Sequence, residues 1–156
     1  RGLLLNPELE IHPVTEILLF SSARSQLIAE KVLPLKETET VIILDRFYDS
    51  TVAYQGYGRA SVALDQVHQI NRIASHGIVP DITFYLRVDL ETAEQRRSAF
   101  AKDRMENSGD DFFRKVIYGF DELAAMEPRI KTIDANQAVE LIHEIVCEIV
   151  MTRIGH

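Results

Sequence analysis

The chain has 156 residues, 46% hydrophobic and 26% charged, a composition typical of one folded domain rather than of a disordered chain. Its 17 basic and 24 acidic side chains give a formal net charge of −7, which argues against general nucleic-acid or membrane-surface binding, because both need a basic face. The single cysteine, Cys147, permits no internal disulfide and favours a reducing cytoplasm. We therefore expect a cytoplasmic protein without nucleic-acid or membrane partners.

Helix-like and strand-like segments alternate along the chain. Thr15 follows the His12-Pro13 break and is a candidate cap for a helix that runs to about Val32, with Pro34 just past its end. The β-branched run Val41–Leu44 predicts a buried parallel strand that ends at Asp45-Arg46. Further strands are predicted at 82–88 and 131–134, and further helices at 62–76, 91–101, 112–125 and 138–153. This alternation predicts an α/β fold with a parallel sheet, whose ligands bind beyond the carboxyl ends of the strands.

The densest group of polar side chains lies in the segment from Asp45 to Arg59, which holds two arginines, three tyrosines and a glutamine. An arginine fork binds phosphate oxygens bidentately, and a carboxylate beside it suits Mg²⁺ or a hydroxyl group. The alternative is an internal Asp–Arg ion pair, with the tyrosines packed around the start of a helix.

Two other features each allow a ligand-binding and a structural interpretation. Phe20 and Arg24 are four residues apart, so a predicted helix would place a ring and a guanidinium together for stacking on a planar base; the alternative is a core phenylalanine beside a solvated arginine. The basic stretch from Arg96 to Arg104 could close over phosphates as a lid, or it could be a solvated helix end. Cys147 is predicted to be a small core residue.

Four segments taken in order resemble the thymidylate kinase (dTMP kinase) family, and the resemblance covers essentially the whole chain. The segments are 15–26 (TEILLFSSARSQ), 45–59 (DRFYDSTVAYQGYGR), 80–83 (PDIT) and 103–106 (DRME). The second is the most specific, because it combines Asp-Arg-aromatic with Tyr-Gln-Gly.

The resemblance implies a fold and an activity. The fold is that of the P-loop nucleoside-monophosphate kinases: a single α/β domain over 1–156, a parallel sheet with helices on both faces in three layers, and a lid at roughly 96–108. The activity is transfer of a phosphoryl group from MgATP to dTMP, giving dTDP and ADP in dTTP biosynthesis, by a homodimer with helices 14–32 and 62–76 as contact surfaces. No Gly-x-x-x-x-Gly-Lys-Ser/Thr motif occurs in the sequence, so we expect the P-loop and the first strands to precede Arg1.

The resemblance also implies roles for individual residues. The dTMP-binding residues would be Phe20 on the thymine ring, Arg24 on its exocyclic oxygen, Arg46 on the phosphate, Ser50 and Thr51 along the base edge, Tyr54 against the deoxyribose, and Gln55. The catalytic residues would be Asp45, Arg46, Arg97 and Arg104, with Asp45 a possible Mg²⁺ contact. The ATP-binding residues would be Arg97, Asp134, Ala135 and Asn136. Phe120 stands where the family usually has tyrosine.

Two other functions stay open at this point. The chain could phosphorylate another nucleotide, such as dUMP or a deoxynucleoside, or it could be a non-catalytic remnant that binds a nucleotide and transfers nothing.

Overall fold

The computed structural model of the chain describes Leu4, Asn6 and residues 8–38, 40–98 and 108–155. Its α-helices are α1 (Pro13–Leu27), α2 (Leu33–Leu35), α3 (Tyr48–Thr51), α4 (Leu64–Ala74), α5 (Leu90–Ser98), α6 (Asp110–Met126) and α7 (Val139–Ile154). Two π-helices, Ile28–Val32 and Val52–Gly58, and two strands, β1 (Thr83–Arg87) and β2 (Ile130–Asp134), complete the elements. The predictions of helices at 62–76, 112–125 and 138–153 and of strands at 82–88 and 131–134 are confirmed to within a few residues.

The two strands pair in parallel, with Thr83 opposite Ile130 and Arg87 opposite Asp134. Because α5 and α6 lie between them in the sequence, the connection is a helical crossover, as a parallel pair requires. The α/β class is therefore confirmed. At the carboxyl edge of the pair, the amide of Ala135 donates a hydrogen bond to the Arg87 carbonyl at 2.8 Å.

The predicted strand at Val41–Leu44 is wrong for the chain as the structure describes it. These residues have no regular secondary structure, and Ile43 is 89% exposed. Apolar, β-branched side chains favour a strand, but a strand also needs a neighbour to pair with its backbone, and no third strand occurs among the described residues. Asp45 and Arg46 consequently lie in an exposed bend rather than at the end of a strand.

The first long helix differs from its prediction at both ends. It begins at Pro13, and its cap is His12, whose Nδ1 accepts a hydrogen bond from the Val14 amide at 3.3 Å; Thr15 is not the cap. Proline suits a first helical turn because the amide it lacks would have no partner there. At the other end α1 passes directly into the π-helix Ile28–Val32, and Pro34 sits in the first turn of α2 rather than beyond the helix.

Contacts within the chain divide the described residues into two compact units. The first comprises those within Arg1–Val79 and Lys102–Glu122, and the second those within Pro80–Ala101 and Leu123–His156. The buried apolar core of the first includes Ile17, Ile28, Val52, Ala53, Val67, Phe112 and Val116. That of the second includes Tyr85, Ile130 and Ile133.

Cys147 is exposed, so its prediction as a core residue is wrong. It lies on α7, where its Sγ is 3.4 Å from Nε2 of His143, one turn earlier. Among the helices that the structure describes, none combines the length and apolar character needed to cross a bilayer.

Candidate functional site

Phe20 and Arg24 lie one turn apart on α1, as predicted, and both are partly buried. The guanidinium of Arg24 is held by two other elements of the first unit. Its Nη1 donates to Oδ1 of Asn71 on α4 at 2.8 Å, and its Nη2 donates to the hydroxyl oxygen of Thr51 on α3. Arg24 is thus an anchored guanidinium rather than a solvated one.

The surroundings of Arg24 shift its ionisation without removing its charge at neutral pH. Burial lowers the pKa of Arg24 to about 10, and the carboxylate of Asp49 acts in the opposite direction. Asp49 is itself 4% exposed, so both groups are largely withdrawn from water. The Arg24 guanidinium carbon also lies 5.8 Å from the centre of the Phe47 ring. The site therefore holds a desolvated cation, which binds a carbonyl oxygen more strongly than a hydrated one does.

Arg46 is oriented by its backbone and by two neighbours. Its φ of 68° lies in the left-handed region, which is uncommon for a residue with a side chain. Its Nε donates to Oγ of Ser50 at 3.1 Å, and its guanidinium carbon lies 4.3 Å from the centre of the Tyr54 ring. Asp45 and Arg46, two residues whose side chains the structure describes, form no ion pair with each other. Arg46 is exposed, and its guanidinium is placed to meet a ligand from solvent.

The π-helix Val52–Gly58 supplies Tyr54 and packs closely against α6. The ring of Tyr54 meets the rings of Phe112 and Phe120 edge to face, with centroids 6.0 and 6.3 Å apart. Gly58 permits this approach, since a Cβ there would lie 2.6 Å from Cε2 of Phe112. Phe120 therefore serves as a packing partner of Tyr54, a role that needs a ring and not a hydroxyl group.

Gln55 points into a buried polar cluster. Its Nε2 donates at 2.9 Å to Oε1 of Glu16, a carboxylate with no exposed surface. Arg59 donates to the same carboxylate at 3.3 and 3.4 Å, and its guanidinium carbon lies 4.6 Å from the centre of the Phe112 ring. The cluster connects α1 to the π-helix beneath Tyr54. Sequence reasoning missed Glu16 because a glutamate in the first turn of a helix ordinarily faces solvent.

Three of the four predicted ATP-binding residues, Asp134, Ala135 and Asn136, lie in the second unit, at the end of β2 and in the turn that follows it. Oδ1 of Asp134 accepts from the Asn136 amide at 2.9 Å, which closes the turn. Nη2 of Arg96 donates to the carbonyl of buried Ala135 at 3.0 Å. Arg96 therefore stabilises this turn, whereas the sequence alone indicates only a part in a lid over phosphates or in a solvated helix end.

The remaining predicted residues are only partly covered by the structure. Arg97 belongs to α5, but its side chain is not among those described. Arg104 and most of the predicted lid, 96–108, lie outside the described residues. Asp45 is exposed. Within the described part of the chain no group of three or more His, Cys, Asp or Glu side chains is arranged to hold a metal ion.

A Mg²⁺ ion does not need such a cluster. It keeps several of its water ligands and is commonly bound by only one or two carboxylates together with the phosphates of the substrate. Asp45 meets that requirement as an exposed carboxylate next in sequence to the arginine that faces solvent.

Comparison with known proteins bears on what these residues serve. The family model described as thymidylate kinase matches residues 1–146. The chain is 43% identical to the thymidylate kinase of Prosthecochloris aestuarii, over 99% of this chain and 74% of that protein. It is 46% identical to the thymidylate kinase of Chlorobaculum tepidum, over 92% of this chain and 72% of that protein. It is 37% identical to that of Kosmotoga olearia, over 100% of this chain and 77% of that protein. The chain, with its anchored guanidiniums beside an aromatic π-helix, belongs to the thymidylate kinase family.

Proposed function

We propose that the protein transfers the terminal phosphoryl group of MgATP to dTMP, giving dTDP and ADP for dTTP synthesis. The observation that carries the proposal is a pair of oriented guanidiniums in the first unit that are anchored on neighbouring residues of α3. Arg24 is held by Thr51 and Asn71, and Arg46 is held by Ser50. A nucleoside monophosphate presents a base edge and a phosphate, which are the two groups that such guanidiniums recognise.

On the base side, Phe20 stacks on thymine and Arg24 donates to its exocyclic oxygen. Ser50 and Thr51 line the base edge. The partial burial of Phe20 and Arg24 supports this assignment, because a ring and a cation that are shielded from water lose little hydration when a base covers them. Gln55 completes the dTMP pocket, and the hydrogen bond from its amide to buried Glu16 fixes its position.

On the phosphate side, Arg46 binds the phosphate of dTMP and Tyr54 lies between that arginine and the deoxyribose. The stacked arrangement of Arg46 over Tyr54 supports this role, because it limits the positions of a long side chain before substrate arrives. Asp45 would hold Mg²⁺, which neutralises charge on the phosphates. Phosphoryl transfer needs positioning and charge stabilisation more than covalent chemistry, and this set of residues supplies both.

On the ATP side, the turn Asp134-Ala135-Asn136 flanks the adenine, and Arg97 and Arg104 in the lid reach the transferring phosphates. The hydrogen bonds that close this turn support the first assignment. We further propose a single domain with the three-layer fold of P-loop nucleoside-monophosphate kinases, and a cytoplasmic homodimer. The apolar surface of α1 and α4 supports the dimer, since Leu18 is 49% and Ile73 is 78% exposed.

The test is ADP release by the purified protein with MgATP and each of dTMP, dUMP and dCMP, alongside a thermal shift with each nucleotide. We expect ADP release with dTMP, and a higher Tm in its presence. Faster turnover with dUMP or dCMP would show that this nucleotide, and not dTMP, is the preferred substrate. Thermal stabilisation by dTMP without ADP release would instead support a nucleotide-binding protein that lacks the kinase activity.

A further inference from the structure

Asn71 is a buried polar residue on α4 that belongs to none of the sequence motifs described above. It is 3% exposed and contacts two other elements. Its Oδ1 accepts from Nη1 of Arg24 on α1 at 2.8 Å, and its Nδ2 donates to the carbonyl of Tyr48, at the start of α3, at 3.2 Å. One amide thus connects the guanidinium to the helix that carries Ser50 and Thr51.

We propose that Asn71 is a positioning residue that fixes the direction of the Arg24 guanidinium and thereby sets the selectivity of the site for the base. The inference rests on the proposed function, in which Arg24 donates to the exocyclic oxygen of thymine. It adds a residue that need not touch the nucleotide and acts through Arg24.

The chemistry of the amide makes the orientation unique. The carbonyl of Tyr48 can only accept, so Nδ2 must face it, and Oδ1 is left facing Arg24. A flipped amide would set oxygen against oxygen at Tyr48 and an NH₂ group against the NH₂ group of Arg24. Both contacts would then be repulsive, which leaves a single favourable arrangement inside a buried site.

Two anchors fix the plane of a guanidinium. Nη1 on Asn71 and Nη2 on Thr51 are bound on two different helices, so rotation about the terminal bonds of Arg24 would break at least one hydrogen bond. The remaining N–H groups of the rigid fork therefore point in a defined direction. A donor held in this way favours a base with an acceptor at that position and disfavours one with an amino group, because two donors would face each other.

The experiment compares equilibrium binding of dTMP and 5-methyl-dCMP, measured by calorimetry. 5-Methyl-dCMP keeps the methyl group of thymine but carries an amino group in place of the exocyclic oxygen next to it. In Asn71→Ala the charged donor of Arg24 is no longer held toward the exocyclic oxygen, so we expect that hydrogen bond to weaken and dTMP affinity to fall about tenfold, while 5-methyl-dCMP affinity falls less. The ratio of the two Kd values should narrow at least about threefold.

Asn71→Asp keeps an oxygen acceptor for Arg24 but sets a carboxylate oxygen against the Tyr48 carbonyl in place of the amide donor. Its Tm should therefore fall, while it retains most of the selectivity for the base. The matched control is Ser75→Ala, which removes a buried hydroxyl from the end of the same helix, 2% exposed and outside the site. That variant should lower Tm without changing the Kd ratio. If Asn71→Ala does not fold, Asn71→Ser, whose hydroxyl is too short to span both contacts, replaces it.

An unchanged Kd ratio in Asn71→Ala or Asn71→Ser, or a ratio in Asn71→Asp as narrow as in those variants, would overturn the inference. Binding that is selective in the wild type without ADP release would overturn the kinase activity alone. A wild-type protein that binds neither nucleotide would overturn both the dTMP site and the positioning role.

Discussion

The guanidinium of Arg46 lies on the face of the Tyr54 ring, with its central carbon 4.3 Å from the ring centre. Tyr54 in turn packs edge to face with Phe112 and Phe120. An exposed arginine is therefore supported by a ring that α6 holds in place. Because the side chain is confined before a ligand arrives, less conformational entropy is lost when it binds a phosphate.

Arg46→Ala should raise the Kd for dTMP by roughly 30-fold or more, since it removes a charge-assisted contact worth ~2–3 kcal/mol. Affinity for thymidine, which has no phosphate, should change little. Calorimetry with both ligands measures the difference. Because Arg46 is exposed, the Tm should stay near the wild-type value. Equal losses for dTMP and thymidine would show that Arg46 does not bind the phosphate.

Tyr54 separates the contribution of the ring from that of the hydroxyl group. Tyr54→Phe keeps the surface under Arg46 and should leave the KM for dTMP within about threefold of wild type. Tyr54→Leu removes the ring and should raise KM by about tenfold, because cation–π contacts of partly exposed groups contribute ~1 kcal/mol and the edge contacts with Phe112 and Phe120 are lost as well. Steady-state kinetics of both variants provide the test. A Tyr54→Phe variant as impaired as Tyr54→Leu would assign the role to the hydroxyl.

Phe20→Ala should weaken dTMP binding by ~1–3 kcal/mol, the range typical of base stacking on an aromatic ring. Phe20→Leu keeps most of the apolar surface and loses the flat face, so its dTMP affinity should lie close to that of the alanine variant while its stability stays closer to wild type. The control is Leu141→Ala on α7, 44% exposed and outside the first unit, which should leave dTMP affinity unchanged. If Phe20→Leu binds dTMP as tightly as wild type, the ring packs in the core and does not stack.

The pair formed by Glu16 and Arg59 predicts an asymmetric effect on stability. Glu16 has no exposed surface, whereas the side chain of Arg59 is 21% exposed. Arg59→Ala leaves a buried carboxylate that has lost its cation, which should lower the free energy of unfolding by ~3–5 kcal/mol. Glu16→Gln keeps an oxygen acceptor and leaves a cation that can reach water, so its loss should be smaller.

Urea unfolding of the two variants measures that order. Arg153→Ala, which removes an exposed ion pair with Asp81 whose side chains are 63% and 81% exposed, serves as the surface control. It should cost under ~1 kcal/mol. A loss in Glu16→Gln greater than that in Arg59→Ala would contradict the assignment of Glu16 as the buried member.

Tyr57 predicts a pH dependence at alkaline pH. Burial, followed by the nearby Glu122 and Tyr118, raises the pKa of Tyr57 above its usual value of 10.0. The folded state therefore holds this proton more tightly than the unfolded state, and its contribution to stability is complete below pH 10.0. That contribution is lost as the pH rises through the folded-state pKa.

Denaturant unfolding of wild type and Tyr57→Phe at pH 8 and in steps above pH 10.0 tests the sign. Only the wild type should lose the Tyr57 contribution. As the pH rises, the free energy of unfolding of the wild type should therefore fall relative to that of Tyr57→Phe. A difference that is constant with pH would contradict the raised pKa. Glu122→Gln should reduce the shift, because it removes one of its causes.

Local sequence patterns predicted the elements in which buried apolar residues recur at a regular spacing. An example is α4, whose apolar side chains recur at helical spacing. The run Val41–Leu44 was predicted as a strand for its side chains alone, but pairing is a property of two segments, and Ile43 ends up largely exposed. The π-helix Val52–Gly58 was not predicted, because no simple residue preference marks an i→i+5 hydrogen-bond pattern.

The candidate site shows the same division. Phe20, Arg24 and the segment from Asp45 to Arg59 were identified because several unusual side chains occur close together in sequence. Asn71 and Glu16 were missed as functional residues because each is a single polar residue in a helix, where solvent exposure is the ordinary expectation. Only tertiary packing buries them, and their partners lie 23 to 47 residues away in sequence.

The π-helix makes the site sensitive to the number of residues as well as to their identity. The Arg59 amide donates to the carbonyl of Tyr54, five residues earlier, at 2.9 Å. Deleting one residue between them would allow an ordinary α-helix but would rotate everything that follows by about 100° about the helix axis. Arg59 would then turn away from Glu16 while Tyr54 kept its place. A homologue could therefore retain all of these side chains and still, if it were one residue shorter in this segment, direct those after the deletion to a different face of the helix.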